Sequence, residues 1–161
     1  MERTAAGIAH WDDLAPRSYE HGDIRATRRG IDAQAGALRV GLSRYAVPAG
    51  ARSMPVHAHA DEEEIFHVLA GEGLVWIDGV THAVGAGDTI AHPAGGPPHT
   101  IAAGATELDV LAFGSGSPTG LTYLPRPKVF WAGTRWLPAD GPHPFVAEAA
   151  CGPLELPATQ A

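Results

Sequence analysis

The stretch GARSMPVHAHADEEEIFHVLAG, residues 50 to 71, places His57, His59 and Glu64 close together in the chain. Side chains alternate between faces along a strand, so His57 and His59 share one face if this segment is extended. The run DEEE (61–64) reads as a turn, after which IFHVLA resumes a strand. If Glu64 opens that strand on the inner side, its carboxylate returns beside the two imidazoles. Two neutral imidazoles and a carboxylate meeting at a point suit a divalent transition metal. His99 is a fourth candidate, since it follows the Pro/Gly loop Pro93 to Pro98 and opens another strand. Glu63 is the competing acid, but choosing it would turn Phe66 and Val68 out of the core. Asp61, Glu62 and Glu63 are read as a solvated turn.

The chain has nine histidines, and most need a plainer reading. His10, His21, His82 and His143 stand in polar or turn contexts and are read as structural or exposed. His67 has the opposite parity to Glu64, Phe66 and Val68, so it faces away from the proposed metal. His92 lies near the Pro/Gly loop and is a candidate for the pocket mouth, for proton transfer or for capping the loop.

The elements that must position these residues are short strands. Residues 37 to 47, ALRVGLSRYAV, lead into the turn Pro48-Ala49-Gly50. Val40, Leu42 and Ala46 share a parity with Arg44. If that apolar set faces inward, Arg44 points toward a substrate; otherwise it lies at the barrel rim with its charge in water. Tyr45, of the other parity, is the alternative acid/base candidate. Asp78-Gly79 between apolar segments is a hairpin signal, because the turn requires positive φ. It joins Leu74–Ile77 to Val80–Val84. Asp88 opens DTIAH, and His99–Ala102 is expected to form a hairpin with Leu108–Phe113. About seven or eight strands without a helical period argue for an all-β barrel or sandwich.

Around this core (37–114) lie an N-terminal arm (1–36) and a C-terminal extension (115–161) that begins at the break SGSPTG. The arm is expected to cover one face of the barrel or to exchange with a second subunit, with a short helix near Asp12 to Leu14. The extension is rich in proline but holds Tyr123, Phe130, Trp131, Trp136 and Phe145. It is expected to be ordered, with little regular structure, and packed on the barrel.

At 161 residues the chain reads as one domain, long enough to bury a core without disulfides. Cys151 is its sole cysteine, which excludes an internal disulfide and fits a reducing compartment. A net charge of −7 argues against nucleic acid as a partner. MERTAAGIAHWDDL lacks the apolar core of a secretory leader, and no apolar window is long enough for a membrane span. The expected compartment is the cytoplasm.

These motifs carry a resemblance. His57-Ala58-His59, Glu64 and Gly71 resemble the first cupin motif, and Gly87, Asp88, Pro93, Gly95 and His99 resemble the second. The second departs by one extra residue before His99 and lacks an asparagine after it. The resemblance covers roughly residues 38 to 114 and implies a small double-stranded β-helix, or jelly-roll, barrel. It also implies His57, His59, Glu64 and His99 as ligands to Fe, Mn, Ni, Co or Zn, and a homodimer.

Two functions follow as expectations. The first is a metal-dependent enzyme of oxygenase or isomerase type acting on a small organic molecule. Its pocket would be lined by Phe66, Val68 and one face of the 39–47 strand, with His92, Tyr45 or Arg44 assisting. The second is a metal-containing binding or sensor module without turnover. No helix-turn-helix accompanies the barrel, which weighs against a DNA-binding sensor.

Overall fold

Period-two alternation sorts the chain into three antiparallel sheets in the computed structural model, which describes residues 7–31, 39–116 and 120–159. The largest runs, in spatial order, β1 (Arg17–His21), β2 (Ile24–Gly30), β3 (Val40–Val47), β10 (Leu108–Ser115), β5 (Glu64–Ala70) and β8 (Thr89–His92). The second holds β7 (Val80–Gly85), β6 (Glu72–Ile77) and β9 (His99–Ala103). The third is short: β13 (Arg135–Leu137), β12 (Val129–Ala132), β11 (Thr122–Leu124) and β4 (Ala58–His59). One helix, α1 (Pro144–Ala150), and a 3-10 turn at Trp11–Asp13 complete the described elements. The architecture is the all-β jelly-roll barrel. No helix among the described residues is long and apolar enough to cross a membrane.

The core lies between the two larger sheets. Phe66 and Val68 of β5, Leu108 and Val110 of β10 and Val47 of β3 pack in one cluster with Val75 of β6 and Ile101 of β9, all at most 2% exposed. Each such side chain contributes roughly 1.5–3 kcal/mol when fully buried. This burial sets the face on which Glu64 lies, because Glu64, Phe66 and Val68 share one parity along β5. Backbone geometry closes the turns. Asp78 (φ 47°) and Gly79 (φ 89°) both take left-handed conformations, as the β6–β7 hairpin requires. At Gly71 a Cβ would fall 2.2 Å from the Glu107 carbonyl oxygen, so only glycine lets β5 pass into β6 there.

Three expectations need correction. His99–Ala102 and Leu108–Phe113 do not form a hairpin. β9 pairs with β6, whereas β10 pairs with β3 and β5. All five residues of β9 are buried, so it lies covered on both faces while the chain crosses to the other sheet. Residues 17–30 are more than an arm: β1 and β2 extend the sheet from β3. The C-terminal extension is ordered as expected, but it is regular, with three strands and a helix. The boundary at 36/37 lies outside the described residues, as does part of the break at 115–120.

A buried ionic network ties these additions to the barrel. Arg52, 2% exposed, donates two 2.8 Å bonds to the Asp23 carboxylate and one of 3.1 Å to Glu148 Oε1. Glu148, on α1 and 0% exposed, also accepts from Arg126 Nη1 at 2.8 Å. Asp23 in turn accepts the Leu154 N–H at 3.0 Å. Charges removed from water are costly unless paired in this way.

Candidate metal centre

The site forms where three loop-and-strand junctions meet. His57 and His99 are direct cross-strand partners: the His57 N–H donates to the His99 carbonyl at 3.1 Å, and the His99 N–H to the His57 carbonyl at 2.8 Å. Such a reciprocal pair sets both side chains on one face. β4 brings in His59 opposite Thr122 of β11, and β5 opens with Glu64. Glu64 Oε2 lies 3.2 Å from His99 Nε2, 3.5 Å from His57 Nε2 and 3.9 Å from His59 Nε2.

The far side of each imidazole fixes its orientation. His57 Nδ1 donates to the Pro55 carbonyl at 2.9 Å, and His99 Nδ1 to the Pro97 carbonyl at 3.1 Å. A carbonyl only accepts, so in the neutral rings Nδ1 carries the proton and Nε2 presents its lone pair inward. His59 Nδ1 lies 3.2 Å from both Thr122 Oγ1 and Glu62 Oε2, which turns its Nε2 inward too. The four ligand atoms lie within 4.8 Å of one another. Donors about 2.0–2.2 Å from a shared ion stand only a few ångströms apart. Outer hydrogen bonds of this kind orient metal-binding imidazoles generally. The donor set therefore fits a divalent transition metal and could hold one.

Electrostatics agree with the geometry. Burial alone would raise the Glu64 carboxyl, but hydrogen bonds with His57 and His99 and the charge of His57 and His59 hold it well below the carboxylate range. Burial would lower His57, yet the hydrogen bond and charge of Glu64 push it above its ordinary value. His59 goes the other way, to about 4, through burial and the neighbouring His57. A ligating histidine must be neutral, and the upward push on His57 sets a proton in competition with the metal for that nitrogen. Metal uptake should therefore release protons on the acid side of neutrality, and affinity should fall as the pH drops. Titration calorimetry in buffers of different ionisation enthalpy measures this directly; buffer-independent heats would mean that His57 is already neutral.

Beside the site opens a cavity of about 490 Å³, lined by His57, His59, Glu64 and Tyr45 at one end. Arg17, Arg28, Tyr19, His21, Trp131, His143 and Phe145 are among the other residues of its wall. Tyr45 thus faces the site, as does its parity on β3, with Ser43 and Val47 buried beside it. Arg44 does not. It points to the outer face, where its guanidinium grips Asp109 of β10 in a 2.6 Å ion pair. A charged partner outside and the burial of Ser43 and Val47 inside fix this parity. Phe66 and Val68 lie in the core beneath the cavity rather than in its wall.

His92 is buried and does not line the cavity. It is the cross-strand partner of Glu64, and its ring stacks on His99 with centroids 3.6 Å apart and planes 4° from parallel. Burial, then the charge of His99, lowers it to about 3, so it stays neutral. His67 faces away, bonded to Thr89 Oγ1 at 2.8 Å. His21 and His143, read from sequence as structural or exposed, both line the cavity, brought together by Phe145. The sequence signal for the first is the alternation Arg17, Tyr19, His21 ahead of the turn at Gly22 (φ 62°).

Comparison with known proteins places the chain. Residues 43–114 match the family model described as a cupin domain. This stretch carries a cupin domain, and the chain shares its fold with solved cupin structures. A protein from Acidithiobacillus ferrooxidans proposed to be a sugar phosphate isomerase is similar in structure, with TM-score 0.73 at 18% identity over 87% of this chain and 97% of the other. A sugar phosphate isomerase of the cupin superfamily from Silicibacter pomeroyi gives TM-score 0.69 at 20% identity, over 80% and 89%. The polyketide cyclase RemF from Streptomyces resistomycificus gives 0.58 at 27% identity, over 67% and 78%. No curated protein matches the sequence.

Proposed function

We propose that the chain is a metal-dependent enzyme that moves a proton on a small organic molecule bound in the cavity beside His57, His59, Glu64 and His99. The observation that carries this reading is the convergence of three imidazole Nε2 atoms on Glu64 Oε2 at the end of that cavity. A divalent ion bound there supplies Lewis-acid polarisation of a carbonyl or hydroxyl oxygen.

The chain's own residues supply the rest. Burial, and after it the charge of Glu64, pushes the Tyr45 phenol up against the opposing pull of Arg28, so Tyr45 stays protonated and can donate. His143 accepts the Phe145 N–H through Nδ1 at 3.2 Å, which leaves its Nε2 as the protonated nitrogen of the neutral ring. Tyr19 donates to the Ser53 carbonyl and so serves as wall rather than as acid. Trp131 and Phe145 pack edge to face and exclude water from one side. Proton transfer between adjacent carbons needs donors and acceptors of this kind near a polarised oxygen. Two structural neighbours named for sugar phosphate isomerisation support the same reaction class.

The test uses the full chain stripped of metal and reloaded separately with Fe(II), Mn(II), Ni(II), Co(II) or Zn(II). Each form is mixed with a panel of hydroxy-carbonyl compounds in deuterated water, with dissolved oxygen followed alongside. The expected result is metal-dependent deuterium incorporation without oxygen uptake. Oxygen uptake coupled to substrate would show oxygenase chemistry instead, and tight binding without either signal would show a binding module.

A further inference from the structure

We propose that the molecule taken by this cavity is a small organic oxyanion, a carboxylate or a phosphate ester, whose charged end is held by Arg17 and Arg28. The proposal rests on the cavity being the substrate site described above and names the class of substrate.

Arg17 of β1 and Arg28 of β2 are direct Cα partners on adjacent antiparallel strands. Both line the cavity. Like charges directly opposite on one sheet face destabilise the pairing, and an anion bound between them relieves that. Arg28 is positioned rather than loose: its Nε donates to Ser43 Oγ at 2.9 Å, and Ser43 is buried on β3. That bond fixes the plane of a guanidinium fork, the geometry that suits carboxylate and phosphate oxygens.

The charge balance points the same way. The chain as a whole carries −7. Among the described residues lining the cavity, Glu64 is the sole carboxylate, and its Oε2 is turned to the three imidazoles. A pocket that concentrates positive charge on an acidic protein attracts anions. In the same cavity wall, Phe145 packs edge to face on both Tyr19, at 5.2 Å, and Trp131, at 5.9 Å. This wall receives the organic body, while the imidazole end receives its oxygen.

The test is direct binding to the full chain, metal-free and Mn(II)-loaded, at low salt and neutral pH. Three probes share one ring: phenyl phosphate, benzoate and benzyl alcohol. At least one anion should bind roughly 10-fold or more tighter than the alcohol, as charge-assisted hydrogen bonds imply. Phenyl phosphate ahead of benzoate marks a phosphate ester as the natural class, and the reverse order marks a carboxylate. Arg28→Gln and Arg17→Gln should each weaken the preferred anion roughly 10- to 100-fold, with metal content unchanged and with Arg28→Lys retaining part of the affinity. Arg17 is exposed, so its variant tests the site without disturbing the fold. Equal binding of anion and alcohol, or unchanged anion affinity in the Arg17→Gln variant, overturns the proposal. Anion binding lost in both variants, in a chain that neither loads metal nor exchanges deuterium, upholds the anion site and sinks the enzymatic reading alone.

Discussion

Replacing Glu148 by alanine should destabilise the protein by about 3–5 kcal/mol, a large part of a typical total of about 5–15 kcal/mol. The carboxylate is fully buried and receives Arg52 Nη1 at 3.1 Å and Arg126 Nη1 at 2.8 Å. Its removal strands part of the charge of Arg52, which is itself 2% exposed. Arg52 keeps its two bonds to Asp23, which places the expected loss toward the lower end of the range. Arg126 also donates to the Gly152 carbonyl at 2.7 Å, so the last turn of α1 loosens with it. Urea unfolding of the full chain measures the effect, and Glu148→Gln should fall between the two because it keeps the shape and part of the bonding. A loss below about 1 kcal/mol would mean that Asp23 alone satisfies Arg52.

The sequence made some of this legible for simple physical reasons. Glu64 was placed inward by Phe66 and Val68, whose burial leaves a strand no choice of face. The β6–β7 hairpin was visible because Asp78-Gly79 meets a stereochemical demand that few pairs meet. His57 and His59 share a face by period two, although β4 itself covers only Ala58–His59. Other features were beyond local pattern. Residues 39–47 carry apolar side chains on both parities, so the outward Arg44 is decided by Asp109, brought alongside by β10, and by the burial of Ser43 and Val47 on the other face. β9 and β10 are close in sequence, but their partners are β6 on one side and β3 with β5 on the other. His21 and His143 lie far apart in the chain and meet through Phe145, a contact made by α1 on β1. Glu148, in the stretch FVAEAAC, gives no sign of its role, because the guanidiniums it neutralises come from distant loops.

The acid response of the fold follows from two neutral imidazoles. His59 and His92 are lowered to about 4 and about 3 in the folded chain, by burial first and neighbouring imidazoles second. Unfolded histidine titrates near ~6.5. Their contribution to stability is therefore complete above that value and is lost as the pH falls through the folded values. Glu64, held low, acts in the same direction at lower pH, while the raised His57 acts oppositely and stabilises only while protonated.

The stack of His92 on His99 sets up the sharpest test of the ligand set. The sequence points to His99 as the ligand, and His92 stands seven positions before it, across the Pro/Gly loop. Their surroundings differ. His99 Nε2 is 3.2 Å from Glu64 Oε2 and its Nδ1 is anchored on Pro97. His92 lines no part of the cavity, and its buried Nε2 has no hydrogen-bond partner among the described residues. His92 is therefore expected to hold the His99 ring in place through the stack rather than to ligate. His99→Ala, like His57→Ala, should cost more than the roughly 10- to 100-fold loss in metal affinity that a supporting residue carries. His92→Phe keeps a stacking ring of similar size and should stay within that range. Competition with a chelator of known affinity, read for each variant at pH 7.5, separates the two histidines, and circular dichroism confirms that each variant is folded. Tight metal retained by His99→Ala but lost in His92→Phe would exchange their roles and move the centre out of the cavity toward β8.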